Sequence, residues 1–317
     1  MRVLTVSADD ANRRLDRWLA DKLPLVGSSE LQRYLRKKRV KLSGGKAVSG
    51  DYKTVSGDSF DVYINDELFA KPNDDNAYLA LDKPRVNIVY EDENILLAAK
   101  ESGQLSHPGG GEYVHTLLTN IQALLYQRGE WIPADENSFR PALCNRIDRN
   151  TGGIVIAAKT GSALRELTER IRLREIDKYY LAAVKLGKGK TLPANGRFEN
   201  YIWKDAKLNR VYIKEKPGQG AKLAVTEYKV LKRNSQYALA ECKLLTGRTH
   251  QIRAQFAAAG FPLAGDGKYG GAKESRQALY SYKLTFAFSS AAGTLDYLNG
   301  KTFALEPDTV DFVRELF

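Results

Sequence analysis

The sequence predicts an α+β fold: a mixed, largely antiparallel central sheet with flanking helices, preceded by a small N-terminal α/β module. Three observations lead there. From residue 86 onward, strand candidates outnumber helix candidates and do not alternate with them regularly. Residues 1–65 instead hold two short apolar repeats at helical spacing, followed by strand segments punctuated by glycine. Between the two, residues 66–85 have mixed polarity and carry the breakers Pro72 and Lys83-Pro84, as a linker does. The expected division is therefore a module over 1–65, a linker over 66–85 and a larger domain over 86–317.

Within the module, Leu15, Trp18 and Leu19 mark one amphipathic helix and Leu31, Tyr34 and Leu35 a second. Ser28 and Ser29, ahead of Glu30, are the expected N-cap of the second. Short strands follow, with turns at Ser43-Gly44-Gly45, Ser49-Gly50 and Ser56-Gly57-Asp58. Charge is concentrated here. Between Ser29 and Lys46, Arg33, Arg36, Lys37, Lys38, Arg39, Lys41 and Lys46 face one acid, Glu30. Such a run is usually a solvated helix face. Because this one overlaps a helix end and the following turn, contact with a phosphate backbone is the favoured reading.

In the larger domain, Ile88 to Tyr90 and Ile95 to Ala99 flank the acidic turn Glu91-Asp92-Glu93-Asn94 and read as paired strands. Gly153 to Ala158, Tyr180 to Val184, Ala224 to Leu231 and Tyr237 to Leu245 are further strands. Ala163, Leu164, Leu167 and Ile171 define a helix. A second helix is expected after Thr249 as its cap, with Ile252, Phe256 and Ala259 on one face and Gly260 as its stop.

The 317 residues are 27% charged and 43% hydrophobic, which suits a folded protein of two domains. No apolar run reaches the roughly 18 to 20 residues of a spanning helix, and the opening MRVLTVSADD turns acidic before a signal-type apolar run develops. The expected compartment is the cytoplasm. Cys144 and Cys242 lie far apart without CxxC spacing, and His107, His115 and His250 show no metal-binding spacing, so neither a disulfide framework nor a metal is expected. A formal net charge of +11 fits a polyanionic partner, since phosphate neutralisation dominates nucleic-acid affinity.

Two segments carry candidate chemistry. In Cys144-Asn145-Arg146-Ile147-Asp148-Arg149-Asn150-Thr151-Gly152-Gly153, one carboxylate lies between two arginines, whose charge favours the anionic form that a nucleophile or base requires. Taken locally, an ion-paired loop aspartate is the simpler reading. In Leu244-Leu245-Thr246-Gly247-Arg248-Thr249-His250-Gln251-Ile252-Arg253, the last arginine falls one turn inside the helix beside its core-facing stripe. A carboxylate from another segment is its natural partner. Lys178-Tyr179-Tyr180 adds an aromatic pair entering a strand, suited to packing or to stacking on a base.

The stretch from Arg14 to Ile64, with its RLDRWL opening, basic helix and V-x-L-x-G-G-K-x-V turn, resembles the S-four-type RNA-binding domain. Farther on, IVYEDENILLAAKESGQLSHP, NRIDRNTGGIVIAAKT, KYYLAAV and LLTGRTHQIRAQFAAAGFPLAGDGKYG, spanning about Ile88 to Gly271, resemble the RluA-type pseudouridine synthase family. The resemblance implies a pseudouridine synthase fold and an isomerase that needs no cofactor. Asp148 matches the family's essential aspartate, Tyr180 its active-site tyrosine and Arg253 the basic residue that pairs with the aspartate. Arg146 matches an arginine that handles the flipped nucleotide. Arg149 and Arg248 are candidate phosphate or base contacts beside it. The implied partner is structured RNA, above all large-subunit ribosomal RNA, bound by a monomer. A non-catalytic RNA-binding or ribosome-assembly factor that retains the fold is the alternative. Asn145 stands where histidine is frequent in the family, Gly152 where serine is frequent, and Lys100-Glu101 where a lysine-proline pair is common.

Overall fold

The computed structural model describes residues 1–218, 220–270 and 276–317, so Gly271, the end of the resembling stretch, lies outside the described residues. The chain divides into two compact units: residues 1–85 with 107–138, and residues 86–106 with 139–317.

The first unit contains β1 (Arg2–Thr5), α1 (Leu15–Lys22), α2 (Ser28–Arg36), β2 (Val40–Leu42), β3 (Lys46–Ala47), β4 (Ser59–Val62) and α3 (Leu117–Gln127). Its antiparallel sheet has the order β1-β4-β2-β3, and the expected Ser43-Gly44-Gly45 turn joins β2 to β3. The two short helices form where the apolar spacing places them. Leu15, Trp18, Leu19, Leu31 and Leu35 are all buried, with the Trp18 and Phe60 rings 5.5 Å apart.

The expected serine cap of α2 is not what forms. Ser28 and Ser29 lie inside the first turn, Gly27 is the N-cap residue, and the Ser29 N–H donates to the Asp82 carboxylate at 2.7 Å. A Cβ at position 27 would fall 2.3 Å from that carboxylate, so glycine makes room for a cap supplied from 53 residues away. The same 66–85 stretch carries two 3-10 turns, Asp66–Phe69 and Ala77–Ala80, and buries Tyr78 against Tyr126 and Trp131 at 4.9 and 4.7 Å. Helix α3 is capped by Thr116, whose hydroxyl oxygen accepts from the Thr119 N–H. Its buried residues include Asn120 and Gln122 as well as Leu117, Ile121 and Leu125, and it was not among the expected helices although Leu117, Leu118, Ile121, Leu124 and Leu125 recur at helical spacing.

The second unit contains β5 (Ile88–Glu91), β6 (Ile95–Lys100), β7 (Ala142–Leu143), β8 (Gly152–Ala158), α4 (Gly161–Leu173), β9 (Ile176–Lys185), β10 (Asn195–Asp205), β11 (Arg210–Lys214), β12 (Lys222–Arg233), β13 (Tyr237–Leu244), α5 (Gln251–Ala258), β14 (Leu279–Phe286), β15 (Thr302–Ala304) and α6 (Asp311–Leu316). Its sheet runs β11-β10-β12-β13-β9-β14-β8-β6-β5, with β15 on β14 and β7 on β8. Among the described strands only β8 and β14 pair in parallel, so the sheet is mixed and largely antiparallel, as expected. Every residue of β8 is buried, which explains its unbroken apolar run. Ile154 and Ile156 pack with Ile95, Leu97, Leu167, Leu284 and Phe286 in one core.

The β8–β14 junction requires a glycine pair. Gly153 has φ +114, and a Cβ there would lie 2.1 Å from the Ser281 carbonyl oxygen; at Gly152 it would meet the Tyr280 ring at 2.6 Å. The serine frequent at position 152 in the family would collide with this tyrosine. Strands β10, β11 and β14 were not among those expected, although Tyr280, Tyr282, Leu284 and Phe286 alternate along β14. Among the described residues no helix is long and apolar enough to cross a membrane.

Candidate active site

Asp148 sits in the loop that enters β8, and neighbouring segments pin this loop from several sides. The Asn145 side-chain oxygen accepts from the Ile156 N–H at 2.8 Å, so the residue that replaces the frequent histidine ties the loop to the strand it feeds. The Ser106 hydroxyl donates to the Ile147 carbonyl at 3.1 Å. Fully buried Lys100 donates to the carbonyls of Glu101, Gln104 and Arg149 at 2.9, 2.7 and 3.0 Å, which ties the loop beside Asp148 to the turn after β6. Burial pulls the Lys100 amine down to about 8, and the Asp148 charge opposes that shift.

Helix α5 brings the second half of the site. The expected Thr249 cap does not form: His250 is the N-cap residue, in left-handed backbone with φ 52 and no side-chain capping bond. Gln251 organises the turn instead. Its side-chain oxygen accepts from the Arg248 N–H and the Thr246 hydroxyl, and its amide donates to the Val225 carbonyl and the Thr226 hydroxyl. Residues 251–256 are all buried, so α5 is enclosed rather than amphipathic.

That enclosure leaves Arg253 7% exposed, and it finds two carboxylates. Nη1 donates to Asp148 Oδ2 at 2.9 Å, while Nε and Nη2 donate to the two oxygens of Asp266 at 2.7 and 2.9 Å. Burial works against the guanidinium charge, and the bonds to Asp266 and Asp148 outweigh it. His250 completes the cluster. Its Nδ1 lies 2.9 Å from the Tyr269 hydroxyl, which accepts from the Val211 N–H, and its Nε2 lies 3.7 Å from Asp148 Oδ2. Burial pushes this imidazole down to about 4, with Asp148 and Asp266 opposing and Arg253 and Lys268 assisting.

Asp148, Arg253, Tyr180, Arg146 and Arg248 all line one cavity of about 810 Å³. The Asp148 side chain keeps 27% of its surface open, whereas its partner Arg253 is enclosed. Tyr180 is buried on β9; burial, then the Asp148 charge, pushes its phenol up to about 12 against a hydrogen bond with Ser281.

Residues 94–258, which contain every group of this cluster except Asp266 and Tyr269, match the family model described as RNA pseudouridylate synthase. The chain belongs to that family. The synthase is 30% identical over 310 residues to ribosomal large subunit pseudouridine synthase D of Neisseria meningitidis, covering 93% of this chain and 77% of that one. It is 33% identical over 276 residues to ribosomal large subunit pseudouridine synthase C of Salmonella typhi, covering 85% and 80%. An uncharacterized RNA pseudouridine synthase of Mycoplasma genitalium is 34% identical over 299 residues, with 89% and 88% covered. The RluA-type resemblance and the isomerase class follow. The fold agrees with human RNA pseudouridylate synthase domain containing 4, with TM-score 0.53, 20% identity and coverage of 69% of this chain and 88% of that one.

The remaining expected contacts of the synthase are distributed unevenly. Arg149 is exposed and outside the cavity lining, with its Nε donating to the Gly103 carbonyl at 3.0 Å. Arg248 donates through Nε to the Leu223 carbonyl at 3.0 Å. Arg33, Arg36, Lys37, Lys38, Arg39 and Lys41 belong to the first unit. There Arg33 pairs with Glu30, Arg39 lies over the Tyr34 ring at 5.5 Å and Lys41 over Tyr63 at 5.6 Å, while Arg36, Lys37 and Lys38 are exposed at the end of α2. Sequence reasoning missed Asp266, His250, Tyr269 and Gln251. The requirement of a buried Arg253 for an anion was the one available signal, and it did not say which carboxylates would answer.

Proposed function

We propose that this synthase converts a specific uridine of large-subunit ribosomal RNA to pseudouridine, with Asp148 as the group that begins the reaction. The observation that carries the reading is the 2.9 Å bond from buried Arg253 to Asp148 within a cavity walled by Tyr180. The choice of RNA rests on the names of the relatives from Neisseria and Salmonella.

The isomerisation breaks the bond from uracil N1 to ribose C1′ and forms one from C5 to C1′. A proton leaves C5 and N1 gains one, so no redox partner or group donor is required. Asp148 attacks C1′ or the uracil ring, or takes a proton from the neighbouring ribose carbon, and Arg253 holds the carboxylate aimed in each case. Tyr180 enters as a neutral phenol, since its ionisation lies far above physiological pH. It is therefore suited to stacking on the extracted base, a contact worth about 1 to 3 kcal/mol that helps offset the few kcal/mol of unstacking. Residues 1–65 act as an S-four-type RNA-binding module joined through 66–85 to the catalytic domain, and the chain works as a cytoplasmic monomer. Arg146, Arg149 and Arg248 contact phosphate or the flipped base.

Transcripts of ribosomal RNA tritiated at uracil C5 test this. The wild type is expected to release tritium, and Asp148→Asn to release none while binding RNA with affinity within about threefold of wild type, because the carboxylate and its amide are nearly isosteric. Absence of release by the wild type from any ribosomal or transfer RNA would instead support a non-catalytic assembly factor.

A further inference from the structure

Beyond the Asp148 cluster, the cavity has a second wall built from the end of α4 and the start of β9. Arg174 is the C-cap residue of α4, in left-handed backbone with φ 63, and Lys178 lies four residues on, both lining the cavity. Alternation along β9 places Ile176, Lys178 and Tyr180 on one face, so the lysine precedes the active-site tyrosine on the same side of the sheet. Lys178 is flanked across the sheet by Leu244 and Leu284. Its setting is apolar, and burial depresses its amine without any carboxylate opposing the shift.

Two of the six lysines and arginines lining the cavity have carboxylate partners, while Arg146, Arg248, Arg174 and Lys178 have none among the described residues. Arg253 holds Asp148 and Asp266, and Arg172 pairs with Glu169. The acids next to Lys178 in sequence are also engaged, Glu175 with Arg170 and Asp177 with Lys243 at 2.8 and 2.7 Å. Among the described residues neither Lys178 nor Arg174 has a carboxylate within salt-bridge distance. Lys178 is half-buried and Arg174 exposed at the cavity wall; partial burial of an ammonium without a partner carries a cost that an anion arriving with the ligand would relieve.

We propose that Lys178 and Arg174 form a phosphate subsite that grips the RNA backbone beside the target uridine while its base enters against Tyr180. This rests on the reading of the chain as an RNA uridine isomerase. Arg174 offers a planar fork for two phosphate oxygens, and Lys178 a compact charge deeper in the wall. The pair holds the strand in register, and bond making stays with Asp148.

The test is the salt dependence of RNA binding by the full chain, for wild type, Lys178→Met, Arg174→Met, the double variant and Lys178→Arg, with a tritiated uridine transcript as probe. Each Met variant is expected to lower the slope of log affinity against log salt by about 0.7 and to weaken binding about tenfold, and the double variant to lose about twice that slope. Turnover at saturating RNA should stay within about twofold, and Lys178→Arg should retain the wild-type slope, which also controls for misfolding. An unchanged slope with reduced turnover would overturn the proposal in favour of a contact to uracil itself, and no change in either would overturn it in favour of solvated side chains. Tritium release by the wild type is read in the same preparations. Its absence defeats the isomerase reading, whereas release with unaltered slopes defeats the phosphate subsite alone.

Discussion

Asp266 clamps Arg253 through two parallel bonds, Nε to Oδ2 at 2.7 Å and Nη2 to Oδ1 at 2.9 Å, and leaves Nη1 to reach Asp148. The guanidinium plane is thus oriented from behind by a carboxylate that is itself buried. Asp266→Asn is expected to lower kcat about 10- to 100-fold, because small misplacements of a catalytic group cost that much. RNA affinity should change little, and breaking the buried pair should cost about 3 to 5 kcal/mol of stability in urea denaturation. Full kcat in a folded Asp266→Asn enzyme would show that Arg253 needs no such support.

Lys100 links the Asp148 loop to the turn after β6 through three carbonyls. Lys100→Met removes all three donated bonds and leaves the Arg149 carbonyl, next to Asp148, with only its 2.8 Å bond from the Gly103 N–H. A loss of about 2 kcal/mol is expected, since relief of amine burial offsets part of the cost of the lost bonds. Turnover should fall together with the thermal midpoint. A variant of unchanged stability and unchanged kcat would mean that the loop is held by its other contacts, from Asn145, Ser106, Ser102 and Gly103.

His250 makes stability depend on pH in a predictable direction. Its folded value of about 4 lies below the ordinary 6.5. Between those values the unfolded chain takes a proton that the native state refuses, so the stability this residue contributes is complete above pH 6.5 and is lost as pH falls toward 4. The contribution to the drop from pH 7 to 5 is about 2 kcal/mol. His250→Gln should lose less stability than wild type over that interval by about this amount, as read by urea denaturation at the two pH values. Parallel losses in the two proteins would refute the assignment.

The exposed Arg36, Lys37 and Lys38 at the end of α2 carry the prediction for the first unit. Replacing all three with alanine should weaken RNA binding and lower its salt slope by about 2, with turnover at saturation preserved. If the slope does not move, the basic run is an ordinary solvated helix end.

Much of the architecture was legible because it rests on short-range patterns. Leu15, Trp18 and Leu19 had to bury one side of a helix, and Ile154 to Ala158 had to be enclosed on both faces. The turn at Gly44-Gly45 needed positive φ, which both residues adopt. The expectation omitted α3, although Leu117, Leu118, Ile121, Leu124 and Leu125 recur there at helical spacing, and β10, whose alternation of Arg197 and Glu199 with Phe198 and Asn200 shows little apolar signal.

At the site, the sequence by itself determined that Arg253 would be buried on a helix and in need of an anion, and that Asp148 would stand on a loop ahead of a buried strand. Only the tertiary structure decided which carboxylates answer, that Asp82 rather than a serine caps α2, that Gln251 rather than Thr249 organises the start of α5, and that Gly152 gives its space to Tyr280. The reason is common to all four. Helix and strand periodicities are set by neighbours a few residues apart, whereas a buried charge, an orphan N–H or a missing Cβ is satisfied by whichever group the fold brings near, and those groups lie from a few to more than a hundred residues away.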